Sequence, residues 1–387
     1  MTPVRIWDLP TRLFHWLLAT SFVVAWISSG SDRWLSLHSF VGYVLLGLAC
    51  FRILWGLVGG PYARFASFAY GPAKVLDYLR QLRKGTAPRY LGHNPAGSVA
   101  IYLMLALGLA VGLTGVFTQG GEEQQLVAAG VLGIPTGTLV RTAHELFAWS
   151  MLAVVAGHLC GVAADAWMTR ENLPLSMVTG LKEAGAGTPA SASYAPVGGL
   201  MLLAIAVFAA WWFSYAWRVP AANPGVPPGA SDIADPATGA VPVAFVGPRL
   251  PDDPIWREEC GSCHLAFHPN LLPQRSWQRL MTEQDTHFGT DLALAPATAN
   301  TVLAFLVANA AEHSRTEAAY KINASVPASS TPLRITATPY WITKHASIDA
   351  AVWARPSVKG KANCAACHVD AEAGTFEDSA MRIPSAP

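Results

Sequence analysis

The sequence predicts a mainly α-helical protein, in which a five-helix transmembrane bundle precedes a small, loop-rich, mostly α-helical domain. Three observations indicate this fold class. Only 13% of the 387 residues are charged, which is about half of the roughly 25% found in typical soluble domains. The charges are missing from five long stretches, all of which lie before residue 218. A proline-rich segment then separates these stretches from a C-terminal region of ordinary charge density.

The five charge-free stretches predict the membrane helices, because a spanning helix needs about 20 mostly apolar residues. The second stretch is long enough only if Arg52 lies at its end and the helix continues to Val58. Buried helices of a large soluble protein are the alternative, but these stretches offer water no polar face. We expect a membrane domain over residues 1–217, with helices at about 10–30, 34–58, 95–118, 138–165 and 196–217.

Lysine and arginine in the short loops predict the orientation, since cytoplasmic loops carry an excess of them. The loop between the second and third helices contains six basic residues and one acid, whereas the next loop begins with Glu122 and Glu123 and has no base before Arg141. The N-terminus and the basic loop are therefore expected in the cytoplasm, and five crossings place the C-terminal domain on the outer side. A cleavable signal peptide ending near Ile27 is the alternative for the first stretch, although the sequence there lacks a good Ala-x-Ala site.

Residues 218–255 are rich in proline, alanine and glycine. Such a segment cannot bury enough apolar surface to fold alone, and proline keeps it extended. We therefore expect a tether here, followed by a second domain over residues 256–387.

The second domain contains the motif Cys-x-x-Cys-His twice, as Cys260, Cys263 and His264 and again as Cys364, Cys367 and His368. This spacing is typical of covalent heme c attachment, in which two thiols bond the porphyrin and the histidine ligates the iron. A zinc site formed by both cysteine pairs, or a thioredoxin-like motif, is the alternative. Neither alternative explains the histidine that follows both pairs.

Each heme c needs a sixth iron ligand, and His287 and His345 are the candidates. His268 lies only four residues after His264, too near to reach across the same heme, and His313 resembles a solvated helix end. Methionine ligation by Met281 or Met381 remains open.

Four histidines lie inside predicted membrane helices, where ionisable side chains are costly and usually functional. His144 and His158 are 14 residues apart, a spacing that puts both on one helix face and about 21 Å apart along the axis. The predicted helix directions then place His15 at the same depth as His158, and His38 at the same depth as His144. His15 and His158 are predicted to bind an inner heme b, and His38 and His144 an outer one. Glu145 either orients His144 or lies on the outer surface of the helix.

Residues 3–185 resemble the bacterial cytochrome b561 family, close to the b-type cytochrome of nickel–iron hydrogenases. The resemblance rests on residues 4–16 (VRIWDLPTRLFHW), His38 with Gly42, residues 92–97 (GHNPAG) and the segment from His144 to His158. It maps the four heme ligands of that family onto the four membrane histidines, and it implies electron exchange with quinone.

Residues 256–387 resemble the bacterial diheme cytochrome c family. The matching stretches are 259–264 (ECGSCH), 287–289 (HFG), 332–336 (PLRIT), 341–345 (WITKH) and 364–378 (CAACHVDAEAGTFED). The resemblance implies two bis-histidine hemes, with the distal histidines at His287 and His345. We pair His287 with the first heme because it follows that motif closely.

These expectations together describe a tetraheme electron-transfer protein of the bacterial inner membrane, with its C-terminal domain in the periplasm. The expected partners are membrane lipid, the quinone pool and a periplasmic redox protein such as a small cytochrome, with quinol-to-cytochrome transfer as the favoured direction. A homo-oligomer or a larger redox complex is left open. A net charge of +1 gives no reason to expect nucleic acid binding. The alternatives are an enzyme, either a superoxide oxidase or a diheme peroxidase, and an anchor subunit of a hydrogenase or dehydrogenase.

Overall fold

The computed structural model describes residues 2–30, 34–123, 126–129, 131–216 and 249–384, and these residues are mainly helical. The chain divides into two compact units, of which the first comprises residues 1–118 and 139–215, and the second residues 119–138 and 216–387. Segment 119–138 therefore groups with the second unit, whereas the sequence analysis placed it in the membrane domain. The predicted tether lies outside the described residues as far as position 248.

The described residues between positions 2 and 216 contain seven α-helices. They are α1 (Leu9–Ser28), α2 (Leu35–Val58), α3 (Pro72–Arg83), α4 (Pro95–Glu122), α5 (Ile134–Thr169), α6 (Leu173–Thr179) and α7 (Ala195–Trp211), and a π-helical turn (Trp212–Ala216) follows α7. The adjoining ends of α4 and α5 extend into the second unit. The helices predicted from the charge-free stretches correspond to α1, α2, α4, α5 and α7. Their ends differ most in α5, which is 36 residues long and extends beyond the predicted 138–165 at both ends.

Within the described residues, four helices are long and apolar enough to cross a membrane, namely α2, α4, α5 and Ala195–Ser214. These four confirm an integral membrane protein. Helix α1 has 20 residues but is not among the four, so the fifth crossing stays a prediction. Arg52 is not at the end of α2, because the helix continues for six residues to Val58.

The core of the first unit holds α1 against α2, α4 and α7. Its buried side chains are Phe14, Val44, Leu48, Leu105 and Met201. The start of α1 is set by Asp8, which accepts a hydrogen bond of 2.8 Å from the Thr11 backbone N–H and thereby satisfies one free helix-end donor. His15 follows Phe14 directly, so this packing also fixes the position of His15.

A small antiparallel sheet joins the N-terminus of the first unit to the segment between α6 and α7. Strand β1 (Thr2–Arg5) pairs with β2 (Leu181–Ala184), with Thr2 opposite Ala184. The sequence analysis did not predict these strands, because four residues are too few to show an alternating pattern.

The second unit is loop-rich with short helices, as predicted. The helices are α8 (Pro254–Gly261), α9 (Gln274–Thr282), α10 (Pro296–Ala308), α11 (Glu317–Ser325), α12 (Pro339–Lys344) and α13 (Ala350–Trp353). Trp256, Leu272, Trp277, Val302 and Leu306 form its main buried cluster. Cys260 packs against this cluster, so the core lies beside the first Cys-x-x-Cys-His motif.

Candidate heme sites

His38 on α2 and His144 on α5 face each other in the first unit. Their ring centres are 6.1 Å apart, and the ring planes make an angle of 78°. His38 Nδ1 lies 2.9 Å from the Ala25 carbonyl oxygen, and His144 Nδ1 lies 3.0 Å from that of Val111. A carbonyl oxygen only accepts, so Nδ1 is the donor in each ring and Nε2 keeps its lone pair for a metal.

Glu145 does not orient His144. It pairs with Arg141 at 3.1 Å, and both side chains are about half exposed on the surface of α5. The Val111 carbonyl takes the orienting role instead, which only the packing of α4 against α5 could reveal.

His15 on α1 and His158 on α5 lie close enough for their charges to interact. His15 Nδ1 is buried and has no hydrogen-bond partner. The structure therefore brings His38 and His144 face to face, and the pairing of His15 with His158 stays a prediction.

The sequence analysis missed the burial of His93. This side chain packs between Trp7 and Phe68, at ring-centre distances of 4.7 and 4.4 Å. Burial, aided by the charge of Arg52, lowers the pKa of His93 to about 3, so the ring is neutral. The charges of His15 and His158 also act on it, which places His93 beside that pair.

Arg52 was also missed as a buried group. Only 2% of the residue is exposed, and its guanidinium lies over the Phe65 ring at 4.9 Å. Both terminal nitrogens are buried without a hydrogen-bond partner, although burying an unpaired charge is costly. A carboxylate such as a heme propionate would satisfy these donors, so the surroundings of Arg52 fit a heme-binding region.

His264 and His287 face each other in the second unit. Their ring centres are 6.4 Å apart, and the rings are 26° from parallel. His264 Nδ1 lies 2.8 Å from the Leu265 carbonyl oxygen. His287 is presented by a tight turn, in which Phe288 (φ 47°) and Gly289 (φ 96°) both adopt left-handed backbone conformations. Burial lowers the pKa of His287, which favours the neutral imidazole that ligates metals.

His345 and His368 form the second pair of this unit, with ring centres 6.2 Å apart. His345 follows α12, and its Nδ1 lies 2.8 Å from the Trp341 carbonyl oxygen. The Trp341 ring also stacks on His345 at 4.3 Å and 15°. His368 is held by a backbone bridge with Met381. Burial lowers the pKa of both histidines.

The three measured separations agree with two imidazoles on opposite sides of one metal ion. A metal–imidazole bond is about 2.0–2.1 Å, and the ligating nitrogen lies ~1.1 Å from the ring centre, so the two ring centres should be about 6 Å apart. The separations of 6.1, 6.4 and 6.2 Å match this value. The spacing therefore fits bis-histidine ligation.

The remaining histidines of the second unit have other roles. His268 uses both ring nitrogens, since Nε2 lies 3.1 Å from the Pro251 carbonyl oxygen and Nδ1 accepts from the Asn270 backbone N–H at 3.3 Å. His313 ends a short 3-10 helix and is exposed. Neither residue lies in one of the facing pairs.

All six cysteines lie in described residues, and none is in a disulfide bond. Burial raises the pKa of Cys260 and of Cys364 to about 11, so both are protonated thiols. In the described part of the chain, the one cluster of metal-binding side chains that has three or more members contains no cysteine. This geometry does not favour a zinc site formed by both cysteine pairs.

Comparisons with known proteins match two separate regions of the chain. Residues 6–180 match the family described as prokaryotic cytochrome b561, and residues 256–376 match the family described as dihaem cytochrome c.

Curated relatives of the first region are named probable Ni/Fe-hydrogenase B-type cytochrome subunit. The protein from Azotobacter chroococcum mcd 1 is 25% identical over 211 residues, which cover 46% of this chain and 88% of the relative. The protein from Rhodobacter capsulatus is 23% identical over 212 residues, which cover 46% of this chain and 81% of the relative.

Solved structures similar to this chain are diheme cytochromes c. The protein from Rhodobacter sphaeroides is 38% identical and covers 33% of this chain and 98% of its own length, with a TM-score of 0.30. The protein from Shewanella baltica OS155 is 28% identical and covers 35% of this chain and 96% of its own length, with a TM-score of 0.28.

Residues 6–180 therefore belong to the prokaryotic cytochrome b561 family and residues 256–376 to the dihaem cytochrome c family, so this chain is a membrane electron-transfer protein that combines a b-type and a c-type cytochrome.

Proposed function

We propose that this chain carries electrons between the quinone pool and a periplasmic redox protein through two hemes b and two hemes c, with quinol as the donor and a small cytochrome as the acceptor. The facing histidine pairs carry the proposal, because three of them have ring centres 6.1 to 6.4 Å apart. The fourth pair, His15 and His158, lies within range of charge interaction.

The proposed ligands follow these pairs. His15 and His158 hold the inner heme b, and His38 and His144 hold the outer heme b. Cys260 and Cys263 attach the first heme c, with His264 and His287 on its iron. Cys364 and Cys367 attach the second heme c, with His368 and His345 on its iron.

Two histidines on each iron leave no open coordination position, so these sites suit electron transfer rather than substrate binding. Hemes b and c supply one-electron transfer when they are bound. The chain's own contribution is to hold four of the imidazoles by a carbonyl hydrogen bond, at Ala25, Val111, Leu265 and Trp341. Stacked aromatic rings such as Trp341 further limit rotation of the ligand.

We place the N-terminus in the cytoplasm and the C-terminal domain in the periplasm of a bacterial inner membrane. The basic loop between α2 and α4 supports a cytoplasmic N-terminus. A periplasmic C-terminal domain requires α1 to cross the membrane. The packing of Phe14 on α1 against Val44, Leu48 and Met201 supports that crossing. Covalent heme attachment outside the cytoplasm agrees with the same orientation.

The test is quinol-driven reduction of the c hemes in lipid vesicles that contain only this protein. We expect the wild-type c hemes to become reduced after quinol is added, and His144→Ala to slow this reduction while the c hemes remain attached. His313→Ala is the matched control, because His313 is exposed and outside the pairs. Equal reduction rates in wild type and His144→Ala would contradict transfer through the outer heme b.

A second candidate function is that of an electron-transfer anchor for a hydrogenase or dehydrogenase. The names of the curated relatives favour it, since they are hydrogenase b-type cytochrome subunits. Reduction of the c hemes by quinol in vesicles that contain only this chain would argue against a pure anchor role. Reduction only after a purified hydrogenase and hydrogen are added would favour it.

A further inference from the structure

We propose that the second unit contains a calcium site formed by Glu123, Glu317 and Asp378. One oxygen from each carboxylate lies within 4.8 Å of the other two oxygens. The three residues come from distant parts of the sequence, namely segment 119–138, helix α11 and the loop after the second Cys-x-x-Cys-His motif. Their convergence therefore depends on the fold of the unit.

The second observation is an unpartnered buried oxygen. Glu123 is 7% exposed, and its Oε2 atom is buried and accepts no hydrogen bond. An ionised carboxylate that is buried without a partner destabilises the folded protein. A bound cation would remove this destabilisation.

The charges around the cluster are unbalanced. Lys321 pairs with Glu317 and with Glu122, the latter at 3.3 Å, and Lys344 pairs with Asp378 at 3.2 Å. The two lysines thus neutralise part of the cluster, but Glu123 and the buried Glu377 add further negative charge. Among the residues that the structure describes, the group contains five carboxylates and two ammonium groups.

The pKa directions agree with this excess of negative charge. Burial, followed by the charge of Glu317, raises the pKa of Glu123 well above its usual value. Burial, followed by the charge of Asp378, raises the pKa of Glu317 to about 7. Glu317 already pairs with Lys321, whereas the buried Oε2 of Glu123 has no hydrogen-bond partner, so a further cation or a proton would stabilise Glu123.

Three converging carboxylates favour calcium over magnesium, because magnesium is usually bound through one or two carboxylates and keeps several waters. Calcium–oxygen bonds of about 2.3–2.6 Å allow ligand oxygens of one ion to lie up to about 5 Å apart, whereas magnesium–oxygen bonds of about 2.0–2.1 Å limit them to about 4 Å. The three oxygens, which all lie within 4.8 Å of one another, are inside the calcium limit. All three ligands are also the hard oxygen donors that calcium prefers.

The calcium site lies beside the second pair of histidines. Lys344, which pairs with Asp378, directly precedes His345, and the charge of Asp378 acts on His368. If these histidines bind a heme as in the proposed function, calcium should raise its reduction potential, since positive charge favours the reduced iron. Calcium binding itself does not depend on that assignment.

The experiment is equilibrium dialysis of the full heme-loaded protein in nanodiscs against radioactive calcium, after treatment with a chelator. We expect one Ca²⁺ per chain and little displacement by an equal concentration of Mg²⁺. Glu123→Gln and Glu317→Gln should each weaken binding by at least about tenfold, because each removes one anionic ligand. Asp252→Asn is the matched control, since this carboxylate pairs with Arg257 on the surface.

Heme staining and the c-type spectrum show whether each variant has folded. The proposal is wrong if the wild type takes up no calcium, which is the result expected when protons alone neutralise the cluster. It is also wrong if folded Glu123→Gln binds calcium as tightly as wild type. Should Glu317→Gln fail to fold, Glu123→Asp still tests the site, because a shorter side chain moves one ligand oxygen away.

Discussion

Replacing His345 with alanine is the sharpest test of the histidine pairs. The change leaves His368 facing an empty position where an imidazole ring had its centre 6.2 Å away. Alanine offers no ligand atom, so one of the four proposed hemes should change from six-coordinate low-spin to high-spin. That is about a quarter of all heme and half of the heme c.

The structural cost of the same change is small enough for the protein to fold. His345→Ala removes the stacking on Trp341, worth about 0.5–1.5 kcal/mol, and the hydrogen bond to the Trp341 carbonyl, worth about 0.5–1.5 kcal/mol. The sum of about 1–3 kcal/mol is a fraction of the roughly 5–15 kcal/mol that stabilises a domain.

Low-temperature electron paramagnetic resonance and carbon monoxide binding measure the outcome. We expect a new high-spin signal and carbon monoxide binding at one heme in His345→Ala, and neither in the exposed control His313→Ala. His345→Met should restore a six-coordinate iron at a higher reduction potential, because Met/His ligation raises the potential. A fully low-spin spectrum in His345→Ala would refute the assignment and point to another ligand such as Met381.

Four further predictions concern other parts of the chain. Cys367→Ala should weaken attachment of the second heme c and reduce covalent heme staining by up to half; unchanged staining would contradict the attachment site. Asp8→Ala removes the cap of α1 and the acceptor of the Trp55 indole N–H. The free energy of unfolding of the first unit, followed by b-heme absorbance, should therefore fall by about 1–3 kcal/mol, and an unchanged unfolding curve would contradict this. The pKa of Glu317 is about 7 in the folded protein, against a usual 4.5. The folded state therefore binds this proton more tightly than the unfolded state. With calcium chelated, the free energy of unfolding should fall as pH rises from about 4.5 through 7. Glu317→Gln should flatten that dependence of the melting temperature, and an equal slope in both proteins would be inconsistent with it. Labelling of single cysteines introduced at the two ends of α1 should show them on opposite sides of the membrane, whereas labelling on one side would reduce the crossings to four.

The membrane helices and the heme c motifs could be predicted from the sequence because both depend on neighbouring residues. Hydrogen bonding within a helix and the need to exclude charge from lipid are local requirements, so the charge-free stretches gave the positions of α2, α4, α5 and α7. The two cysteines and the histidine of each heme c motif lie within five residues. Depth along the helices also predicted that His38 and His144 face each other, because the rise per residue of a helix is fixed, whereas the pairing of His15 with His158 stays a prediction.

Distances between remote residues were decided by the tertiary structure alone. From hydropathy, Arg52 was expected at the end of a helix. In the structure, packing of Phe65 and Phe68 against it buries Arg52 inside the first unit. The sequence could not decide whether Glu145 orients His144. In the structure, the Val111 carbonyl oxygen on α4 accepts the hydrogen bond from His144 instead.

The acidic cluster of Glu123, Glu317 and Asp378 shows most clearly which features the sequence determines and which only the tertiary structure decides. By itself the sequence determined that Glu123 follows a membrane helix and that Glu317 and Asp378 belong to the second domain. Only the folded chain brings their oxygens within 4.8 Å of one another, because contacts across about 200 residues arise from packing and leave no pattern in the local sequence.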